Sequence, residues 1–263
     1  MTQAPSPNVF SPCAVIPVYR HAYLLEQVLP RIRELGLPCV VVNDGNDQDE
    51  TELLRALCRD TGTELCEQFP NQGKGSAVIL GMRRAAELGY SHALQVDADG
   101  QHNTDDIPRF LALAEASPLA LITGVPQYDD SVPRHRYYSR YLTHFWVWVE
   151  TLSLEIKDSM CGFRVYPLGD TLALIDRVNI GRRMDFDTEV AVRLCWRGVP
   201  VISVPTQVTY PENGISNFRL WRDNLAISWM HTRLCAGMVL RLPVLVYRLI
   251  RRHWPARTVE SLS

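Results

Sequence analysis

The chain has 263 residues, of which 46% are hydrophobic and 21% charged, with a formal net charge of −2. That length and apolar content suit one large domain with a sizeable core and exclude bulk disorder. The charge is unevenly divided: residues 1–130 carry 9 Lys and Arg against 18 Asp and Glu, and residues 131–263 carry 18 against 11.

Residues 13–18 form a short apolar run that reads as a buried strand. Residues 23–35 have helical spacing, with Gly36 as the stop and Pro30 as an irregularity. A second buried strand is expected over 38–43, and acidic residues 47–52 then lead a helix that ends at Gly62. A strand over 63–69, a helix over 75–88 and a strand over 92–96 follow. Strand and helix thus alternate every 25 to 30 residues, the pattern of a right-handed parallel α/β sheet. Ligands of such sheets bind beyond the carboxyl ends of the strands.

Further on, a helix over 104–116 capped by Thr104, a strand over 119–124, a polar loop over 126–137 and an aromatic-rich helix over 138–154 are expected. A helix over 187–196 and a strand over 201–204 complete the domain. The domain is therefore expected over residues 11–210, with a basic amphipathic helical segment over 211–263. The seven cysteines are scattered without a Cys-x-x-Cys pair, which suggests a reducing compartment and no zinc site. No signal peptide and no transmembrane helix are expected, so a cytoplasmic location is.

Four motifs fall at successive strand ends. Asp97-Ala98-Asp99-Gly100-Gln101-His102 brings two carboxylates to a turn where they can converge on one divalent cation, with hard oxygens favouring magnesium or manganese. The alternative is an acidic turn that caps the next helix. Asn43-Asp44-Gly45 offers a carboxylate to a base N–H or a ribose hydroxyl, or is a simple Asp-Gly turn. Asn71-Gln72-Gly73-Lys74-Gly75 opens a helix whose N-terminus attracts anions, with Lys74 as a point charge. It is not a Walker loop, because Phe69 stands where the first glycine would be. Pro17-Val18-Tyr19 follows the first strand.

In this order the motifs resemble family-2 glycosyltransferases of the GT-A fold, and most closely the dolichyl-phosphate mannosyltransferase-like branch. Asp158-Ser159-Met160-Cys161-Gly162-Phe163-Arg164, Asp185-Phe186-Asp187-Thr188-Glu189 and Gly214-Ile215-Ser216-Asn217-Phe218 resemble later motifs of that branch. The resemblance covers about residues 13–220. It implies a Rossmann-like, mostly parallel sheet flanked by helices. It also implies an inverting, metal-dependent transfer of a sugar from a UDP- or GDP-sugar to a lipid-linked acceptor.

By that resemblance Pro17 and Tyr19 line the base pocket and Asp44 holds the base. Asp97 binds ribose or metal, Asp99 is the direct ligand of Mg2+ or Mn2+, and Lys74 and Gln101 complete the donor site. An alcohol acceptor needs a base, for which Asp158 or Glu189 stands available. A polyprenyl phosphate needs none, and there an arginine such as Arg164 matters more. Asp158 and Arg164 have a bland alternative, a mutual structural ion pair. The branch often has Gly-Ser-Arg where this chain has Gly124-Val125-Pro126, so Arg134, Arg136 or Arg140 would have to supply the charge.

Between Arg219 and Arg257 there are 8 arginines, no lysine and one acid, Asp223, interleaved with apolar residues. These read as helices lying at an inner membrane surface, or as a helical pair with a solvated basic face. Nucleic acid is not an expected partner. A non-catalytic nucleotide-sugar or lipid-binding module is a rival reading that turnover alone separates. A sugar-phosphate nucleotidyltransferase would need a Gly-rich loop after the first strand, where Pro17-Val18-Tyr19-Arg20-His21 stands instead.

Overall fold

The computed structural model describes residues 9–127, 134–208 and 219–253. Gly214-Ile215-Ser216-Asn217-Phe218 lies outside the described residues, as do the side chains of Arg134 and Arg136. The chain starts with β1 (Pro12–Val18), α1 (Ala22–Glu34), β2 (Cys39–Asp44), α2 (Gln48–Thr61), β3 (Glu64–Gln68), α3 (Lys74–Glu87) and β4 (His92–Gln95). It continues with α4 (Ile107–Ala116), β5 (Leu121–Gln127), α5 (Arg134–Thr151), β6 (Arg164–Pro167), α6 (Leu168–Ile175), α7 (Phe186–Arg197), β7 (Val201–Gln207) and α8 (Leu220–His253).

One seven-stranded sheet has the order β3-β2-β1-β4-β6-β5-β7. The β1–β2, β1–β4, β2–β3 and β5–β7 pairs are parallel; β6 runs antiparallel to both β4 and β5. The mostly parallel GT-A-type sheet expected from the motifs is therefore present. Alternation along each strand divides the core in two. Cys13 and Val15 of β1 face a layer of α3, α6, α7 and α8, while Ala14 and Ile16 face α1, α2 and α4.

Local chemistry explains the elements. Asp47 caps α2 by accepting from Glu50 N–H, and Gly62 closes it in the left-handed region. Pro30 sits within α1 without ending it, because Leu25, Val28, Leu29 and Ile32 bury one continuous face.

Several expectations are corrected. The turn before α4 is a 3-10 helix over Thr104–Asp106 capped by Asn103, not by Thr104, since the Asn103 side chain accepts from Asp105 N–H. Part of the expected polar loop belongs to β5, which runs to Gln127, and to α5, which starts at Arg134. Neither β6 nor α6 was expected. The C-terminal helices are one 34-residue helix that passes through Pro243.

Candidate active site

The carboxyl ends of β1, β2, β3, β4, β5 and β7 meet at one edge of the sheet. Antiparallel β6 starts at that same edge, with Arg164 opposite Gln95 and Thr123. The segments around Tyr19, Asp44, Lys74, Asp97 and Gly162 are thereby brought together, although they span some 140 residues of sequence.

Each segment is held by a local device. After β1, Asn46 clamps the turn: its Oδ1 accepts from Arg20 N–H at 2.6 Å and its Nδ2 donates to the Val18 carbonyl at 3.0 Å. Arg20 is held at φ 61 and its guanidinium lies 5.2 Å from the centre of the Tyr19 ring. Pro17 and Tyr19 are both half-buried beside this turn. Asp44 is 2% exposed, and its carboxylate accepts from Gln68 Nε2, Asn71 Nδ2, Gln72 N–H and Gly73 N–H at 2.6 to 3.0 Å. Both oxygens thus anchor the loop that opens α3. Burial raises the Asp44 carboxyl above its ordinary range, against the pull of those donors.

That loop delivers Lys74, the first residue of α3. Its Nζ lies 2.8 Å from Asp97 Oδ2 and 3.1 Å from Asp187 Oδ2. Burial works against the Lys74 charge, but Asp187 and Asp97 outweigh it and raise the ammonium well above its usual range. Burial likewise opposes the Asp97 charge, yet Lys74 and His102 hold its carboxyl well below the usual range. Gln95 Nε2 donates to Asp187 Oδ1 at 3.1 Å, and Gln95 Oε1 accepts from the Tyr166 hydroxyl at 3.2 Å. Gly162 forms the floor: a Cβ there would lie 2.6 Å from Lys74 Nζ and 2.8 Å from Asp97 Oδ2. A side chain there would have to push the ends of Lys74 and Asp97 out of their present positions.

Asp99 is half-buried, with its Oδ1 accepting from Gln101 N–H at 3.0 Å. Gln101 therefore orients Asp99 through its backbone. Two carboxylates, Asp97 and Asp187, contact one ammonium, and burial together with the Asp97 charge raises the nearby Asp99 carboxyl above its ordinary range. Asp97 Oδ1 and His102 Nδ1 are buried without a partner among the described atoms. A buried, uncompensated carboxylate oxygen is costly, and an excess of hard oxygens fits a divalent cation. Among the described residues, no group of three or more His, Cys, Asp or Glu is placed to hold a metal alone. An ion held by Asp97 and Asp99 would therefore need further ligands from outside the chain.

The remaining expected residues serve as braces in this structure. Arg164 is 0% exposed and donates to the main-chain carbonyls of Ser159 and Asp187, tying the 158–163 loop to α7. Asp158 is 3% exposed and pairs with Arg140 at 2.6 and 2.7 Å, with His144 Nε2 at 3.3 Å. It also accepts from Met160 N–H and Cys161 N–H. The mutual Asp158–Arg164 pair is not formed; each is fixed by other partners. Burial penalises the Asp158 charge, but His144 and Arg140 overcome that and hold its carboxyl well below the usual range. Glu189 is 0% exposed and bound by Arg193, Arg233 and Gly181 N–H.

The roles of Asp187, His102 and Asn46 are not legible in the sequence and come from the fold. Asp187 and Glu189 stand two apart on α7, so they point in different directions. Asp187 turns to Lys74 and Glu189 turns to α8.

Residues 13–178 match the family described as glycosyl transferase family 2. The undecaprenyl-phosphate mannosyltransferase of Micrococcus luteus is 24% identical over 213 residues, covering 78% of this chain and 86% of that protein. The polyprenol monophosphomannose synthase of Mycolicibacterium smegmatis is 24% identical over 219 residues, covering 77% and 78%. The fold is shared with the mannosyltransferase PcManGT of Pyrobaculum calidifontis, solved with GDP-Man and Mn2+, at a TM-score of 0.56 and 18% identity. That likeness covers 87% of this chain but only 65% of the other, about two thirds of its length. The sheet order, the acidic cluster at its carboxyl edge and the family match over more than half of the sequence lead to one conclusion: the chain belongs to glycosyl transferase family 2, and the names of its relatives support the dolichyl-phosphate mannosyltransferase-like branch.

Proposed function

We propose that this chain transfers a sugar from a UDP- or GDP-sugar to a polyprenyl phosphate at a membrane surface, with inversion at the anomeric carbon. The observation that carries the choice of acceptor is the state of Asp158. A carboxylate fixed by Arg140 and His144 and held below its usual range is a poor proton acceptor. Glu189, the other expected base, has no exposed surface. A phosphate acceptor is already anionic and requires neither. The names of the Micrococcus and Mycolicibacterium relatives support the same class of acceptor.

In this reading Pro17 and Tyr19 line the base pocket, with Asp44 setting its wall through the 71–73 loop. Asp99 and Asp97 hold Mg2+ or Mn2+, and Gln101 orients Asp99. When bound, the ion supplies charge neutralisation of the donor diphosphate as it departs. Lys74 and the N-terminus of α3 add positive potential on the same side. An acceptor phosphate oxygen forms the new bond to the anomeric carbon while the bond to the nucleoside diphosphate breaks, and the electron pair leaves with the diphosphate. Arg164 acts indirectly, by holding Gly162 beneath Lys74.

The C-terminal helix α8 packs into the core through Met230, Leu234 and Leu245, and its outward face is the part that meets the membrane. No helix among the described residues is long and apolar enough to cross a membrane. Trp221 is 92% exposed and Leu240 82%, with Leu225, Trp229, Tyr247 and Ile250 also exposed and Arg222, Arg241 and Arg251 among them. Tyr141, Leu142, Phe145 and Trp146 of α5 are exposed as well. Exposed aromatics interleaved with arginines suit a helix lying in the headgroup layer on the cytoplasmic side.

The test is calorimetric binding of UDP and GDP, each with and without Mn2+, to wild type and Asp99→Ala. Metal-dependent binding of one nucleotide that is lost in the variant is expected. Absence of binding by folded wild type to either nucleotide would overturn the donor assignment.

A further inference from the structure

Glu189 joins three parts of the molecule. Its Oε2 accepts from Arg233 Nη2 of α8 at 3.0 Å and from Gly181 N–H at 2.8 Å, while Oε1 takes Arg193 of its own helix. Gly181 opens the segment 181–185, which lies directly on the loop that carries Lys74. The Arg182 carbonyl accepts from Ser76 N–H at 3.0 Å. A Cβ at Gly73 would come within 2.5 Å of Arg183 Cγ, and one at Gly75 within 2.5 Å of Phe186 Cβ. Two glycines of the α3 loop therefore owe their close approach to the position of 181–186. A continuous line of contacts runs from α8, through a carboxylate with no exposed surface, to the loop that places Lys74.

We propose that Arg233 is a positioning residue for the α3 loop: by holding Glu189 it keeps segment 181–185 seated on Gly73 and Gly75, so that the seating of α8 sets the geometry around Lys74. The functional meaning rests on the donor-site reading above, but the mechanical link does not. Arg233 touches no reacting group. Its guanidinium is partly exposed and its replacement leaves Arg193 on Glu189, so the core of α7 keeps a partner for the buried carboxylate.

The test uses the full chain without ligand. Backbone hydrogen exchange is followed in wild type, Arg233→Met and Arg233→Lys. Faster exchange at 72–76 and 181–185 is expected in Arg233→Met, by about fivefold or more, the lower range for coupled sites. Exchange at 39–44 stays as in wild type, and Arg233→Lys, which retains a cation for Glu189, recovers most of the protection. Unchanged exchange at 72–76 in Arg233→Met overturns the proposal. So does a uniform rise that includes 39–44, which marks general loosening. A nucleotide titration on the same variants separates the two readings. Wild type binding with an affinity at least fivefold above that of Arg233→Met supports both. Binding by neither nucleotide to wild type overturns the donor reading, while the exchange result still decides the link.

Discussion

The carboxyl edge of the sheet and the α5–α8 surface are built on opposite principles. At the edge, polar side chains are enclosed and almost every oxygen is assigned: Asp44 takes four donors from one loop, Asp158 takes Arg140, His144 and two amides, and Gly162 clears room for Lys74. Along α5 and α8 the reverse holds, with Trp221, Leu225, Trp229, Phe145 and Trp146 turned outward. A site that organises charge must be rigid and dry, because only a low local dielectric makes its ion pairs strong and its unpaired oxygens demanding. A surface that meets a disordered medium such as a bilayer needs apolar area and cations, not fixed geometry. Substitutions at the edge should therefore act through stability and turnover, and substitutions on the outward face of α8, away from Arg233, through localisation.

The largest effect expected is on stability. Asp158→Asn removes the charge that compensates Arg140 and His144 in a buried setting, which should cost about 3–5 kcal/mol in a denaturant melt. Its sign with pH follows from the depressed folded-state value. An unfolded Asp titrates near about 3.9, so the contribution of Asp158 is complete above about pH 4 and drains away as pH falls below that. Wild type should show an acid limb there that is shallower in Asp158→Asn. Equal slopes would remove Asp158 from the account of the edge.

Next comes turnover. Asp99→Ala should lower transfer by about 10² to 10³, the magnitude of losing one preorganised electrostatic contact, and should leave the melting curve nearly unchanged because burial and the Asp97 charge already disfavour the ionised Asp99. Chelation of divalent cations should mimic it in wild type. Gly162→Ala sharpens the same point, since the added methyl group meets Lys74 Nζ, Asp97 Oδ2 and Gln95 Nε2. Overpacking of this kind costs roughly 1–3 kcal/mol, and transfer should fall further than stability does. The smallest change in stability belongs to Trp221→Ser with Trp229→Ser, within about 0.5 kcal/mol as for other exposed sites. Cosedimentation with anionic vesicles should nevertheless drop sharply; undiminished binding would erase the contrast between the two regions.

The strands at the edge were legible because a parallel sheet buries both faces and writes its strands as plain apolar runs, such as Cys39–Asp44. The motifs were legible because they sit where such strands end. β6 was missed: its four residues Arg164–Pro167 begin with an arginine, and nothing local distinguishes a buried arginine from a solvated one. The role of Arg164 depends on carbonyls at Ser159 and Asp187, which the fold supplies. The same reason hid the division of labour between Asp187 and Glu189. α8 read as separate helices because Pro243, Arg241 and Arg248 interrupt its apolar pattern. In the structure Arg248 donates to the carbonyls at the end of α7, and the helix runs on.

Under the proposed function the acceptor arrives already charged, so that no carboxylate at this edge has to take a proton. The direct measurement offers one nucleotide-sugar, with Mn2+, to purified enzyme alongside polyprenyl phosphate or the matching polyprenol, and follows labelled sugar into the lipid phase. Transfer to the phosphate alone, with a rate flat from about pH 7 to 8, above the second ionisation of a phosphate monoester, is the result expected. Comparable transfer to the polyprenol would contradict the claim and return Asp158 or Glu189 to the role of base.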